Sequence, residues 1–324
     1  MTRFRAALPA VSILLLLVAL LLWPGAAAEG VRGGLSACAG SLIPALFPFL
    51  LLARLVNATG LGDRLSAALA RPLGRLFRAP GCVAAPFLLG LTGGYPIGAA
   101  ALADLTREGR MNAEDAARLL PVCDNTGPGF LVGAVGLGVF GSLKIGLLLY
   151  LSHALAAFVL GLLSAIGQPR HDLDAPRSRP SLPFSKALTE SVAGAVDASL
   201  KICGFVLCFS VLCALLRTAG LFDGAAGALS FHTGMELRAA RALLTGLLEL
   251  GGGVAALRGS SATPVNLCLA TFLPGFGSLS VHCQTLSVLA GTDIKASRLF
   301  AGRLVHGLIS AGLMLGFQII LPRG

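Results

Sequence analysis

Residues Leu89–Ala100 read LGLTGGYPIGAA. The stretch lies inside a long apolar region, yet its middle is Thr92-Gly93-Gly94-Tyr95-Pro96, which holds the strongest helix breakers of the region. A helix broken inside lipid strands backbone N–H and C=O groups. Such a break persists only where protein or a water-filled cavity surrounds it. The rest of the chain decides whether this stretch lies in lipid. Of 324 residues, 55% are hydrophobic and 12% charged, and the mean hydropathy is +0.83. A soluble domain carries about 25% charged residues. Apolar stretches of about 20 residues, the length that spans a bilayer, recur along the sequence. The period-2 strands that a membrane barrel needs are missing. The reading is an all-α polytopic membrane protein.

Working outward, an apolar helix is expected over 8–28, a second over 35–57, and an amphipathic basic surface helix over 61–78. Broken segments follow over 81–104 and 117–140, the latter interrupted by CDNTGPG, and a clean span over 145–167. The polar, Pro-rich stretch 168–189 reads as a cytoplasmic linker. Beyond it come a span over 195–217, a short stretch 221–236, a segment 239–258 broken at ELGGG, a segment 264–290 broken at PGFGS, and a last span 299–321. The order before the linker recurs after it. Thr59–Asp63 (TGLGD) matches Ala219–Asp223 (AGLFD), and Leu151–Leu155 (LSHAL) matches Leu304–Leu308 (LVHGL). The chain therefore divides into an N-terminal transmembrane helix (1–34), a first repeat (35–167), the linker (168–189) and a second repeat (190–324).

If 81–104 is a re-entrant hairpin, each repeat crosses the membrane an odd number of times and the second is inverted. A cytoplasmic N-terminus then gathers most Lys and Arg inside, among them Arg71, Arg75, Arg78, Arg107, Arg110, Arg118 and Arg303, as the positive-inside rule asks. The net charge of +10 reflects this loop bias and not nucleic-acid binding, because no aromatic residues interleave the basic ones. Breaks at matched positions of inverted halves point to a transporter's midplane site.

The set TGGYPIGA, NTGPGFLVGAVG, LLELGGG and LPGFGSLSVHCQ resembles the YlbJ-type sporulation integral membrane proteins, also called stage V sporulation protein V. That family carries two nucleoside-recognition or Gate domains. The likeness covers residues 35–321. It implies transport of dipicolinate across the outer forespore membrane of a bacterium, with a nucleoside or other metabolite as the runner-up, and a non-transporting membrane scaffold as a third reading. Asp124 stands where the resemblance leads one to expect a second Asn.

The residues expected at the solute site are Thr92, Gly93, Gly94, Tyr95, Asn125, Thr126, Gly127, Glu249, Gly277, Ser278, Ser280 and His282. Tyr95 offers a ring that stacks on a flat solute. Asn125, Thr126 and Ser278 offer hydrogen bonds. Asp124, Lys201 and Glu249 are charges inside apolar segments, which read as functional by default. Glu249 suits a coupling proton or cation, or else a cap for the GGG turn. Lys201 lies one helical turn from Asp197 and is expected to pair with it. His153 and His306 match across the repeat and read as packing residues. The eight cysteines form no C-x-x-C pair and read as reduced core residues. No cofactor or metal site is expected. GLGVFG (Gly136–Gly141) follows no strand and is not a dinucleotide fingerprint. No nucleophile–base pair stands out, so an enzyme is not expected. The oligomeric state is open.

Overall fold

The computed structural model describes residues 2–171 and 182–320. Among them there are helices and no strand: α1 (Thr2–Leu22), α2 (Pro24–Ala37), α3 (Ile43–Ala58), α4 (Leu61–Phe77), α5 (Ala84–Gly93), α6 (Ile97–Arg107), α7 (Ala113–Cys123), α8 (Leu143–Ser164), α9 (Phe184–Thr218), α10 (Leu221–Thr233), α11 (Leu237–Leu248), α12 (Leu250–Ala255), α13 (Pro264–Phe276), α14 (Leu279–Leu289) and α15 (Leu299–Ile320). A π-turn, Cys38–Leu42, joins α2 to α3, and a π-helical segment, Gly129–Leu137, follows α7. Among the described residues, five stretches are long and apolar enough to cross a membrane: Pro24–Ala58, Leu143–Ser164, Phe184–Thr218, Pro264–Leu289 and Ala296–Ile320. The protein is an all-α polytopic membrane protein.

Two boundaries differ from the sequence expectation. The first helix ends at Leu22, and Pro24 opens a new one, as proline at the first helical turn does. Residues 24–34 therefore belong to a 35-residue span and not to an N-terminal helix 1–34. Two of their glycines bring helices together. Gly30 lies against the backbone of Val211, and Gly34 against Leu207 and Ser210. The second difference is α9, which begins at Phe184 after Pro183, so the expected linker 168–189 is shorter at its C-terminal end. Residues 172–181 of that linker lie outside the described residues.

The long helices pack in antiparallel pairs. Gly30 meets Val211 and, further along, Gly194 meets Arg54, so α2–α3 runs opposite to α9. His153 stacks on His306 at 4.4 Å between centroids, while Leu148, earlier in α8, shares a cavity wall with Met314 and Phe317, later in α15. Helices α8 and α15 therefore also run oppositely.

Between these pairs sit the broken segments. The chain reverses at 94–96, so that α5 and α6 form a hairpin whose arms touch at Gly90 and Gly98. Further out, Cys82 Sγ contacts the Arg110 carbonyl at 3.5 Å. Both glycines face the carbonyl of Cys123 so closely that a Cβ on either would overlap it. The α11–α12 hairpin closes in the same way, with Gly246 against Gly253. Helices α13 and α14 together make one interrupted 26-residue stretch. The amphipathic α4 turns 111° from the segment that follows it. It buries Ala70, Leu73 and Phe77 and exposes Arg71 and Arg75, the pattern of a helix lying along a surface.

Candidate functional site

Each break has a local cause in the sequence. Helix α5 stops at Gly94, whose φ of 79° and ψ of −172° suit only glycine. Helix α13 stops at Gly277, with φ 68° and ψ 147°. Helix α7 ends at Asp124, where Pro128 bars its continuation. Helix α11 ends at Glu249, which is extended at φ −136° and restarts the chain as α12. The Glu249 carboxylate accepts the Gly251 N–H at 2.8 Å and also the Gly252 N–H. It is the cap of the GGG turn.

The four breaks converge on one cavity. Its wall includes Gly94 and Tyr95 from the first break, Thr126 and Gly127 from the second, Glu249, Leu250 and Gly251 from the third, and Ser280 and Val281 just after the fourth. Leu42, Leu46, Phe130, Ile202, Val206 and Gln284 complete it. The cavity volume is about 50 Å³. That is room for a few waters, whereas drug-sized ligands occupy pockets of about 300–1,000 Å³. The cavity is thus too small in this conformation to hold such a ligand. Glu249 is the one ionisable carboxylate or cation in its wall.

Six of the expected residues line the cavity: Gly94, Tyr95, Thr126, Gly127, Glu249 and Ser280. The others stand elsewhere. Thr92 is on the exposed side of α5, its hydroxyl bonded to Leu88 O at 2.8 Å. Gly93 is buried against Ala53 and Ile97. Asn125 is fully buried and turns its amide back to Val122 O at 2.8 Å, while its Oδ1 has no hydrogen-bond partner. Ser278 accepts the Val281 N–H at 3.2 Å and caps α14. Gly277 lies behind the Tyr95 hydroxyl. His282 bonds Phe276 O at 3.0 Å and packs edge-on against the Phe276 and Phe300 rings. Asp124 accepts from the Thr285 hydroxyl at 2.6 Å. Lys201 pairs with Asp197 at 2.8 Å, as expected, on an exposed flank of α9.

Sequence reading missed the residue that ties the breaks together. Arg303, taken for a cytoplasmic flank of the last span, is fully buried in α15. Its guanidinium donates to Asp124 O, to Pro274 O at 3.0 Å and to Phe276 O at 3.3 Å. These carbonyls end α7 and α13, where an interrupted helix leaves acceptors unpaired. The negative ends of two half-helices therefore face one cation, which the helix dipole favours. The guanidinium also lies over the Tyr95 ring, 4.8 Å from its centroid. Pro274 O takes two further donors, the Tyr95 hydroxyl and Thr126 Oγ1 at 3.2 Å. The Thr126 N–H donates to His153 Nε2 at 3.0 Å, and a ring nitrogen of His306 contacts His153 O at 3.1 Å. The stranded backbone groups are thus satisfied by side chains from both halves of the chain. An ionisable residue four positions into an apolar span was the available signal.

The sequence is similar to the sporulation integral membrane protein YlbJ of Bacillus subtilis (strain 168), with 28% identity over 320 residues, covering 89% of this chain and 76% of the relative. No family model matches the chain, and no solved structure matches it. With four chain breaks gathered inside an apolar helical bundle, the chain is a membrane protein homologous to a sporulation integral membrane protein.

Proposed function

We propose that the protein is a transporter, and not an enzyme, for a small anionic organic solute, with dipicolinate as the leading candidate and the outer forespore membrane as its place. The observation that carries this reading is the convergence of four breaks on one small cavity. The antiparallel packing of α2–α3 on α9 and of α8 on α15 supports two inverted repeats, the first beginning at Pro24. Inverted repeats around a midplane site are the common architecture of alternating-access transporters. In this account the N-terminus is cytoplasmic, and the cavity widens toward one side or the other to take up the solute.

The charge of the wall constrains the solute. Glu249 contributes a carboxylate, which repels an anion unless a proton or cation binds with it. An anionic solute therefore enters together with a coupling proton or cation at Glu249. Arg303, behind the Tyr95 ring, supplies a full positive charge next to the wall. The same carboxylate favours the second reading, a neutral nucleoside-like metabolite. Deleting the gene in a spore-forming host separates the two. Under the first reading, spores of the deletion strain lose most of their dipicolinate and a plasmid copy restores it. Normal dipicolinate content would remove that solute from the account.

A further inference from the structure

Three cavities follow one another along α9. The central one touches it at Ile202 and Val206. Toward its N-terminal end, a second cavity of about 70 Å³ meets Asp197, Ala198 and Lys201. Toward its C-terminal end, a third of about 590 Å³ meets Ser210, Cys213 and Arg217. Neighbouring cavities share walls: Ile202 and Gln284 separate the second from the central one, and Glu249 separates the central one from the third. From Asp197 to Thr218 the helix rises about 32 Å, close to the thickness of a bilayer's hydrocarbon core.

The second cavity differs from the central one in charge. Arg54 of α3 reaches into its wall, and its stem crosses α9 at Gly194, where a Cβ would come within 2.9 Å of the guanidinium carbon. Arg54 Nε is buried with no hydrogen-bond partner, and no ion pair of Arg54 occurs among the described residues. The charged groups in the wall are Arg54, Lys201 and Asp197. The Lys201–Asp197 pair is already closed at 2.8 Å, which leaves the Arg54 charge unmatched. An unmatched guanidinium fork is suited to a carboxylate, which it can grip with two parallel hydrogen bonds.

We propose that the cavity at Arg54 and Lys201 is an entry site for small carboxylates, from which the solute passes along α9 to the central cavity through the partition at Ile202 and Gln284. This rests on the transport reading and adds to it the place where the anion is first held. Because the central wall carries Glu249, attraction for an anion has to come from outside it, and this mouth supplies it. Charge at a mouth acts on capture more than on turnover.

The test is uptake of dipicolinate by liposomes holding the full-length protein, measured as initial rate against concentration. Arg54→Gln is expected to raise the half-saturating concentration roughly tenfold, the effect of losing a charged hydrogen-bonded pair, with the maximal rate kept within about twofold. Arg54→Lys keeps the charge, loses the fork and is expected to fall between. Raising ionic strength is expected to weaken uptake by the unaltered protein more than by Arg54→Gln. An unchanged half-saturating concentration in both variants, or a lowered maximal rate alone, would overturn the entry site while leaving transport standing. If Arg54→Gln does not fold, Arg54→Lys decides on the same readout. No uptake by the unaltered protein would overturn dipicolinate transport, and the entry site with it.

Discussion

Gly98→Ala is expected to destabilise the protein by more than about 3 kcal/mol, beyond the usual range for overpacking, and to sharply reduce the yield of folded protein from the membrane. A Cβ at this position overlaps the carbonyl of Cys123 and approaches the Gly90 Cα to 3.0 Å. The obstacle is backbone on both sides, so no rotamer change relieves it, and the α5–α6 hairpin has to move off α7. That movement also withdraws Tyr95 from Pro274 O and from Arg303. Gly227→Ala is the matched control. Gly227 is interior to α10 and has no neighbour within 4 Å of an added Cβ, so the exchange is expected to stabilise by about 0.5–1 kcal/mol, the difference in helix propensity. Thermal unfolding of the purified variants in detergent compares them. A Gly98→Ala midpoint equal to that of the unaltered protein would mean that the hairpin does not press on α7.

Arg303→Met is expected to cost about 2–4 kcal/mol, with Arg303→Lys between it and the unaltered protein. Replacing a buried ion pair by apolar residues is often harmless because both charges leave together. Here the partners are backbone carbonyls, and they stay. Pro274 O keeps Tyr95 and Thr126, and Phe276 O keeps His282, but Asp124 O loses its donor from Arg303. A buried acceptor left unpaired costs about 1–3 kcal/mol, and the stack on Tyr95 is lost as well. Thermal unfolding in detergent measures the order. Methionine equal to or better than arginine would show that the guanidinium is not what holds the ends of α7 and α13.

The fold was legible where apolar runs and breakers coincide. Gly94-Tyr95-Pro96, Asp124–Pro128, Glu249–Gly253 and Gly275–Ser278 each read as a break and each is one. The Asp197–Lys201 pair followed from helical spacing alone. What was not legible was the facing of residues beside a break, because helix phase is lost across it. Ser278 and Ser280 are two positions apart, yet one caps α14 while the other lines the cavity. Asn125 and Thr126 are adjacent, and only Thr126 faces the cavity. Arg303 was hidden by its position near the start of the last span, where a basic residue usually marks the membrane edge.

The claim that the four breaks form one solute site is tested most directly by binding of dipicolinate to the purified full-length protein, with Thr126→Val and Ser280→Ala singly and together. These side chains come from opposite halves of the chain and line the same cavity. Each single variant is expected to weaken binding several-fold with the unfolding midpoint nearly unchanged. The double variant is expected to depart from the product of the single effects, because residues that share one ligand are coupled. Losses that multiply as for independent positions, or binding untouched by either substitution, would contradict a common site.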